Sequence, residues 1–156
     1  MDELDAAIVR ELQQNARLSN RELASRLGLA PSTCLVRTRA LIDRGVFTGF
    51  HAGIDLPRVG LGVQALVAVQ VRPLSRNVIE AFRSFAMGLP EVLAVFVLTG
   101  GDDFLVHVAV RDLAAMHALV MDKFSSRKEI IGFRTSVVYD HVRRPVLTIP
   151  TEVIAK

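Results

Sequence analysis

Hydrophobic residues change their rhythm once along this 156-residue chain, and that change constrains the fold more than any other feature. Up to about residue 44 they recur with the 3.6-residue period of helices. Leu4, Ala7, Ile8 and Leu12 form the stripe of a first helix over roughly residues 2–15. Ser19 and Glu22 then have the spacing of a capping box, Leu23, Ala24 and Leu27 give a second helix its inner face, and Gly28 ends it. A third helix opens at Pro31, where a missing N–H costs little, and stops before Gly45. Beyond this point the pattern alternates between strand and helix. Residues 46–54 read as a strand and 57–62 as a linker, and 63–71 alternate as a strand. Val78, Ile79, Phe82, Phe85 and Ala86 share a helical face that Gly88 and Pro90 terminate. Residues 92–98 and 104–110 are apolar strands on either side of a Gly-Gly-Asp-Asp turn. A second helix follows with Leu113, Met116, Val120 and Phe124 inward, then a last strand over roughly 133–142.

Three short helices with a tight Gly turn before the third describe a helix-turn-helix, and the βαββαβ order that follows describes a ferredoxin-like sandwich. The predicted class is therefore α+β. A helix-turn-helix domain occupies 1–50, a linker strand and hinge 51–62, and a ferredoxin-like effector-binding and dimerisation domain 63–156. Two helices cover one face of a four-stranded sheet. Strands this apolar need the other face covered as well, most simply by a second copy of the chain.

The third helix carries the chemistry. At about 100° per residue, Cys34, Leu35, Thr38, Leu41 and Ile42 fall on one face. Ser32, Thr33, Val36, Ala40, Asp43 and Arg44 fall on the other, with Arg37 and Arg39 at its margins. Small hydroxyls flanked by cations suit a helix lying in the major groove of double-stranded DNA. The net charge of +3 says little, but its distribution says more. Residues 17–44 hold six arginines, Arg21 among them, against two carboxylates, and the first sixty residues hold no lysine. Arginine's planar fork binds phosphate or guanine edges at two points. The expected DNA contacts are Ser32, Thr33, Val36 and Arg37 toward bases, with Arg39, Arg44 and Arg21 nearer phosphate. A plain three-helix bundle with a solvated basic face is the competing reading.

Other classes fare worse. Four scattered histidines, a single cysteine and no CxxC leave no metal motif. Cys34 falls on the inner face and reads as a core residue. There is no G-x-S-x-G elbow and no P-loop, so no enzyme is expected. No apolar run approaches a membrane span, and the acidic opening MDELD differs from a secretory signal, so the expected location is cytoplasmic.

In its motifs the sequence resembles the Lrp/AsnC, or feast/famine, transcriptional regulators. The likeness spans residues 4–55 as a helix-turn-helix with its G-[VI]-x-x-G-[YF] exit, here Gly45 to Phe50. It continues through residues 89–112 with a Thr-Gly-x-x-Asp-[YF] loop, here Thr99 to Phe104. It implies a DNA-binding regulator, a dimer that assembles into higher oligomers such as octamers, and an amino-acid-like effector bound at that loop, with no other cofactor. Gly100 and Gly101 offer backbone N–H groups to a carboxylate, and Asp103 offers a partner to an ammonium. Asp102, Thr135 and Ser136 are further candidates for polar contacts. The same four residues are also common choices for a plain hairpin turn. An architectural DNA-binding protein without an effector and a small-molecule enzyme of ferredoxin-like fold are the alternatives. Three positions depart from the family pattern. Ala30 stands where a serine usually caps the recognition helix, Thr38 where a valine is usual, and Asp102 where many relatives carry an aromatic residue.

Overall fold

The computed structural model describes residues 1–150, and they form two units. The first comprises Met1–Gly53 together with the described residues from Val142 onward, and the second Ile54–His141. Each has its own hydrophobic core.

In the first unit, α1 (Glu3–Gln14), α2 (Asn20–Arg26) and α3 (Pro31–Asp43) bury Ile8, Leu12, Leu23, Ala24, Cys34 and Leu41 between them. Their ends are set locally. The Asp2 carboxylate accepts from the Asp5 N–H at 2.8 Å and caps α1. Ser19 and Glu22 close the reciprocal box at α2. Gly28 and Gly45 adopt left-handed φ of 64° and 70° just beyond α2 and α3, where a Cβ would be strained. Ala30, at the head of α3, supplies no side-chain cap. The Asn20 side-chain amide instead donates to the Pro31 carbonyl at 2.8 Å, tying the start of α2 to the start of α3.

The second unit is a four-stranded antiparallel sheet in the order β2–β3–β1–β4. The strands are β1 (Val63–Val71), β2 (Val92–Val97), β3 (Phe104–Val110) and β4 (Ile130–Val137), with α4 (Arg76–Met87) after β1 and α5 (Leu113–Leu119) after β3. Both helices pack on one face. Phe82 and Ala86 of α4 and Met116 and Leu119 of α5 meet Val67, Val69, Phe104, Val106 and Val108. The Phe82 and Phe104 rings lie 4.3 Å apart. The opposite face carries Leu66, Leu105, His107 and Phe96, and no element of this unit covers it.

Four expectations change. Residues 46–54 form no strand among the described residues, because an extended segment becomes a strand only beside another edge. Phe47 instead packs against the first core, with its ring 5.3 Å from that of Phe50. The helix after β3 passes at Val120–Phe124 into a π-turn, which keeps Val120 and Phe124 buried while Leu113 faces solvent at 62% exposure. The last strand ends at Val137 rather than 142, since its partner β1 pairs from Val71 opposite Ile130 to Ala65 opposite Val137. Finally, residues from Val142 group with the first unit instead of completing the second. There the Leu147 N–H donates to the Gln13 side-chain oxygen at 2.8 Å and its carbonyl accepts from the Gln13 amide at 3.3 Å.

Candidate functional site

Two sites emerge, one in each unit. The first is the outer face of α3. Cys34 and Leu41 anchor the inner face, so Ser32, Thr33, Val36, Arg39 and Ala40 project to solvent. Val36 is 67% exposed and stands between small hydroxyls and a cation. A branched apolar side chain adds nothing to the core from there, but it suits contact with a thymine methyl. Arg39 and Arg21 are exposed and form no ion pair among the described residues.

Arg37 is placed differently. Its guanidinium reaches back to α1, donating to Asp2 at 2.7 Å and to Asp5 at 2.9 Å. Hydrogen bonding to Asp2, then to Asp5, pushes its pKa further up. The Asp5 N–H, followed by Arg37, holds the Asp2 carboxyl below its ordinary range. Arg44 approaches the other Asp5 oxygen at 3.6 Å. The helical wheel put Arg37 at a margin; the packing of α1 decides that this margin faces inward. Sequence reasoning missed Asp2 and Asp5 as its partners, although carboxylates at the cap and in the first turn of an amphipathic helix were a signal.

The second site is a polar recess of about 170 Å³ beside the loop between β2 and β3, lined by Gln70, Asp102, Gly132, Phe133 and Arg134. Arg134 donates to Asp102 at 2.9 Å, and the Gln70 amide donates to the Gly101 carbonyl at 2.7 Å. Gly100 has a φ of 140°, which lets the loop turn back, and both Gly100 and Gly101 are exposed. The two adjacent aspartates take different parts. Asp102 faces the recess. Asp103, only 9% exposed, accepts from the Val71 N–H at 2.8 Å and from Arg72 at 3.2 Å, joining the loop to the end of β1. Thr135 and Ser136 lie on β4 opposite Val67 and Leu66 and therefore point to opposite faces. Ser136 shares the uncovered face with Arg134, and Thr135 does not. Gln70 and Arg134 escaped sequence reasoning. Alternation marks each as polar on a strand, but only the register that pairs Gln70 with Gly132 brings them together.

Comparison with known proteins covers both units. The family model of the AsnC-type helix-turn-helix domain matches residues 1–42, and that of the Lrp/AsnC ligand binding domain matches residues 64–146. The chain is similar to the HTH-type transcriptional regulator AldR of Mycolicibacterium smegmatis, with 38% identity over 92% of this chain and 84% of AldR. It is also similar to the transcriptional regulator AzlB of Bacillus subtilis, with 33% identity over 94% of this chain and 93% of AzlB. Among solved structures, a transcriptional regulator from Neisseria meningitidis in complex with L-Met superposes with a TM-score of 0.88. That match has 32% identity and covers 97% of each chain.

Proposed function

The chain belongs to the Lrp/AsnC family of transcriptional regulators, and from that premise we propose that α3 reads operator DNA while the recess at Arg134 takes an amino-acid-like effector. The relatives are regulators rather than enzymes, so the enzyme reading falls away. The observation that carries the DNA reading is Val36, an apolar side chain two-thirds exposed at the centre of an otherwise polar helical face. Ser32, Thr33 and Val36 meet base edges. Arg39 and Arg21, which form no ion pair among the described residues, meet phosphate. Arg37 braces α3 against α1 and sets the angle at which the face is presented.

The effector reading rests on complementary charge. An α-amino acid carries a carboxylate and an ammonium a few ångströms apart, and Arg134 and Asp102 offer the matching pair. In the free protein these two groups satisfy one another. A zwitterion replaces one ion pair with two, and Gln70 and the Gly100–Gly101 backbone complete the set of hydrogen bonds. The uncovered sheet face with Leu66, Leu105 and Phe96 meets a second copy of the chain, and dimers assemble further. The effector shifts assembly or DNA affinity by its differential affinity for the two states. No described helix is long and apolar enough to cross a membrane, and we place the regulator in the cytoplasm, where its DNA lies.

Fluorescence anisotropy on the DNA upstream of the chain's own gene tests the interface. Val36→Ser should relax the preference at one base pair and weaken binding by about 1–3 kcal/mol. Arg39→Ala should weaken all sequences alike and lower the salt slope by about 1. If both variants bind the same DNA with unchanged affinity and salt dependence, α3 is not the reading helix.

A further inference from the structure

Asp5 is a buried charge in the first turn of α1, 8% exposed, on the helix that gives Ile8, Val9 and Leu12 to the first core. Capping does not explain it, because the cap is the Asp2 carboxylate, which accepts from the Asp5 N–H. What the Asp5 carboxylate holds is two arginines, Arg37 within α3 and Arg44 at its C-terminal cap. One oxygen accepts from Arg37 at 2.9 Å, and the other lies 3.6 Å from Arg44. These arginines are about two helical turns apart, so they share one side of α3 and converge on a single group.

Burial decides how firmly they are held. An ion pair between exposed groups is worth little and yields readily to another anion. Here a phosphate that drew either guanidinium away would leave a desolvated carboxylate with one partner fewer, which costs far more. Asp2 is a second acceptor for Arg37 at 2.7 Å, but it is itself half exposed. The six arginines of residues 17–44 therefore divide. Arg26 is paired with Glu11 at 3.1 Å, and Arg37 and Arg44 are tied to Asp5. Arg17, Arg21 and Arg39 pair with no carboxylate among the described residues.

We propose that Asp5 is a positioning residue for DNA reading. Through Arg37 and Arg44 it fixes α3 against α1 at two points and keeps both guanidiniums off the phosphates. Base contacts of the outer face, which need an exact angle of approach, then decide which DNA is bound, rather than bulk attraction. The proposal rests on the reading of α3 as the DNA-facing helix. It reverses the part that residue type alone assigns to Arg44, a phosphate contact.

Anisotropy of the full chain over a range of KCl concentrations tests this, on the DNA upstream of its own gene and on a shuffled duplex of equal length. Arg44→Gln, at a half-exposed position, should leave the salt slope on both duplexes as in the parent, because that charge does not reach phosphate. Arg39→Ala, by contrast, should lower it by about 1. Asp5→Asn keeps the shape and removes the charge. It should raise the slope on the shuffled duplex by about 1 as Arg44 turns to phosphate, and lower the preference for the upstream DNA about threefold or more. Adding Arg44→Gln to Asp5→Asn should return the slope to its parent value and leave the preference low. A purely structural aspartate would instead lower the melting temperature and weaken both duplexes with the slope unmoved. The proposal is overturned if Arg44→Gln alone lowers the slope, whether or not Asp5→Asn folds. It is equally overturned if Asp5→Asn leaves slope or preference unchanged, or if the added slope survives Arg44→Gln. Inert Val36→Ser and Arg39→Ala would overturn the reading of α3 itself, and this proposal with it.

Discussion

At the scale of single residues, neighbours in sequence part company. Asp102 and Asp103 have the same carboxylate, yet the backbone turn sends one into the recess and the other back to the Val71 N–H and Arg72. Asp103→Ala should therefore strand a buried N–H and cost about 1–3 kcal/mol of stability. Asp102→Ala removes an ion pair whose arginine is largely exposed, so it should cost no more than about 1 kcal/mol of stability. Its effect should appear in a thermal-shift screen against the twenty amino acids, where the parent's ligand-induced rise in melting temperature disappears. If Asp102→Ala keeps that rise while Asp103→Ala loses it without losing stability, the roles of the two aspartates are reversed. Arg37 teaches the same lesson. Its residue type advertised DNA, but Asp2 and Asp5 lie closer to hand. A helical wheel gives the angle of a side chain and says nothing of which neighbour stands there.

At the scale of elements, the helices were the most legible part. Capping residues, glycines and apolar stripes act within a few residues of chain, so α1, α2 and α3 end close to where Asp2, Ser19, Gly28 and Gly45 place them. The cap at α3 is the weak point. Ala30 already has the extended backbone of an N-cap residue, with φ −65° and ψ 138°, but it offers no side-chain acceptor to the first turn. Ala30→Ser should supply one without moving the chain and stabilise the first unit by about 1 kcal/mol. Denaturant unfolding followed at α3 reports the change, and an unchanged midpoint would mean that water already satisfies the N–H groups of this first turn. The strands were less legible at their limits. A strand extends only as far as its partner, and the extent of β4 is dictated by β1 across the sheet.

At the scale of the whole molecule, the uncovered sheet face makes the clearest demand. Leu105 lies in the middle strand of that face, flanked by Ala68 on β1 and Phe96 on β2. In sedimentation at micromolar concentration the full chain should run as a dimer or larger, and Leu105→Glu should shift it toward monomer by placing a charge in the apolar contact. A parent chain that sediments as a monomer would remove the second copy from the account. The route of the chain matters at this scale too. It leaves the first unit after Gly53, builds the sheet, and re-enters the first unit from Val142.

The amino-acid order by itself determined the three helices of the first unit, the helix-turn-helix, the βαββαβ succession and the outer face of α3. Those depend on local periodicity, capping and turn chemistry, which act between residues close in sequence. The meeting of Gln70 with Arg134, the diversion of Arg37 to Asp2 and Asp5 and the return of Leu147 to Gln13 were decided by the tertiary structure alone. Each joins residues distant in sequence, from the 32 positions between Arg37 and Asp5 to the 134 between Leu147 and Gln13. Their contact depends on register and packing angles that no local pattern encodes.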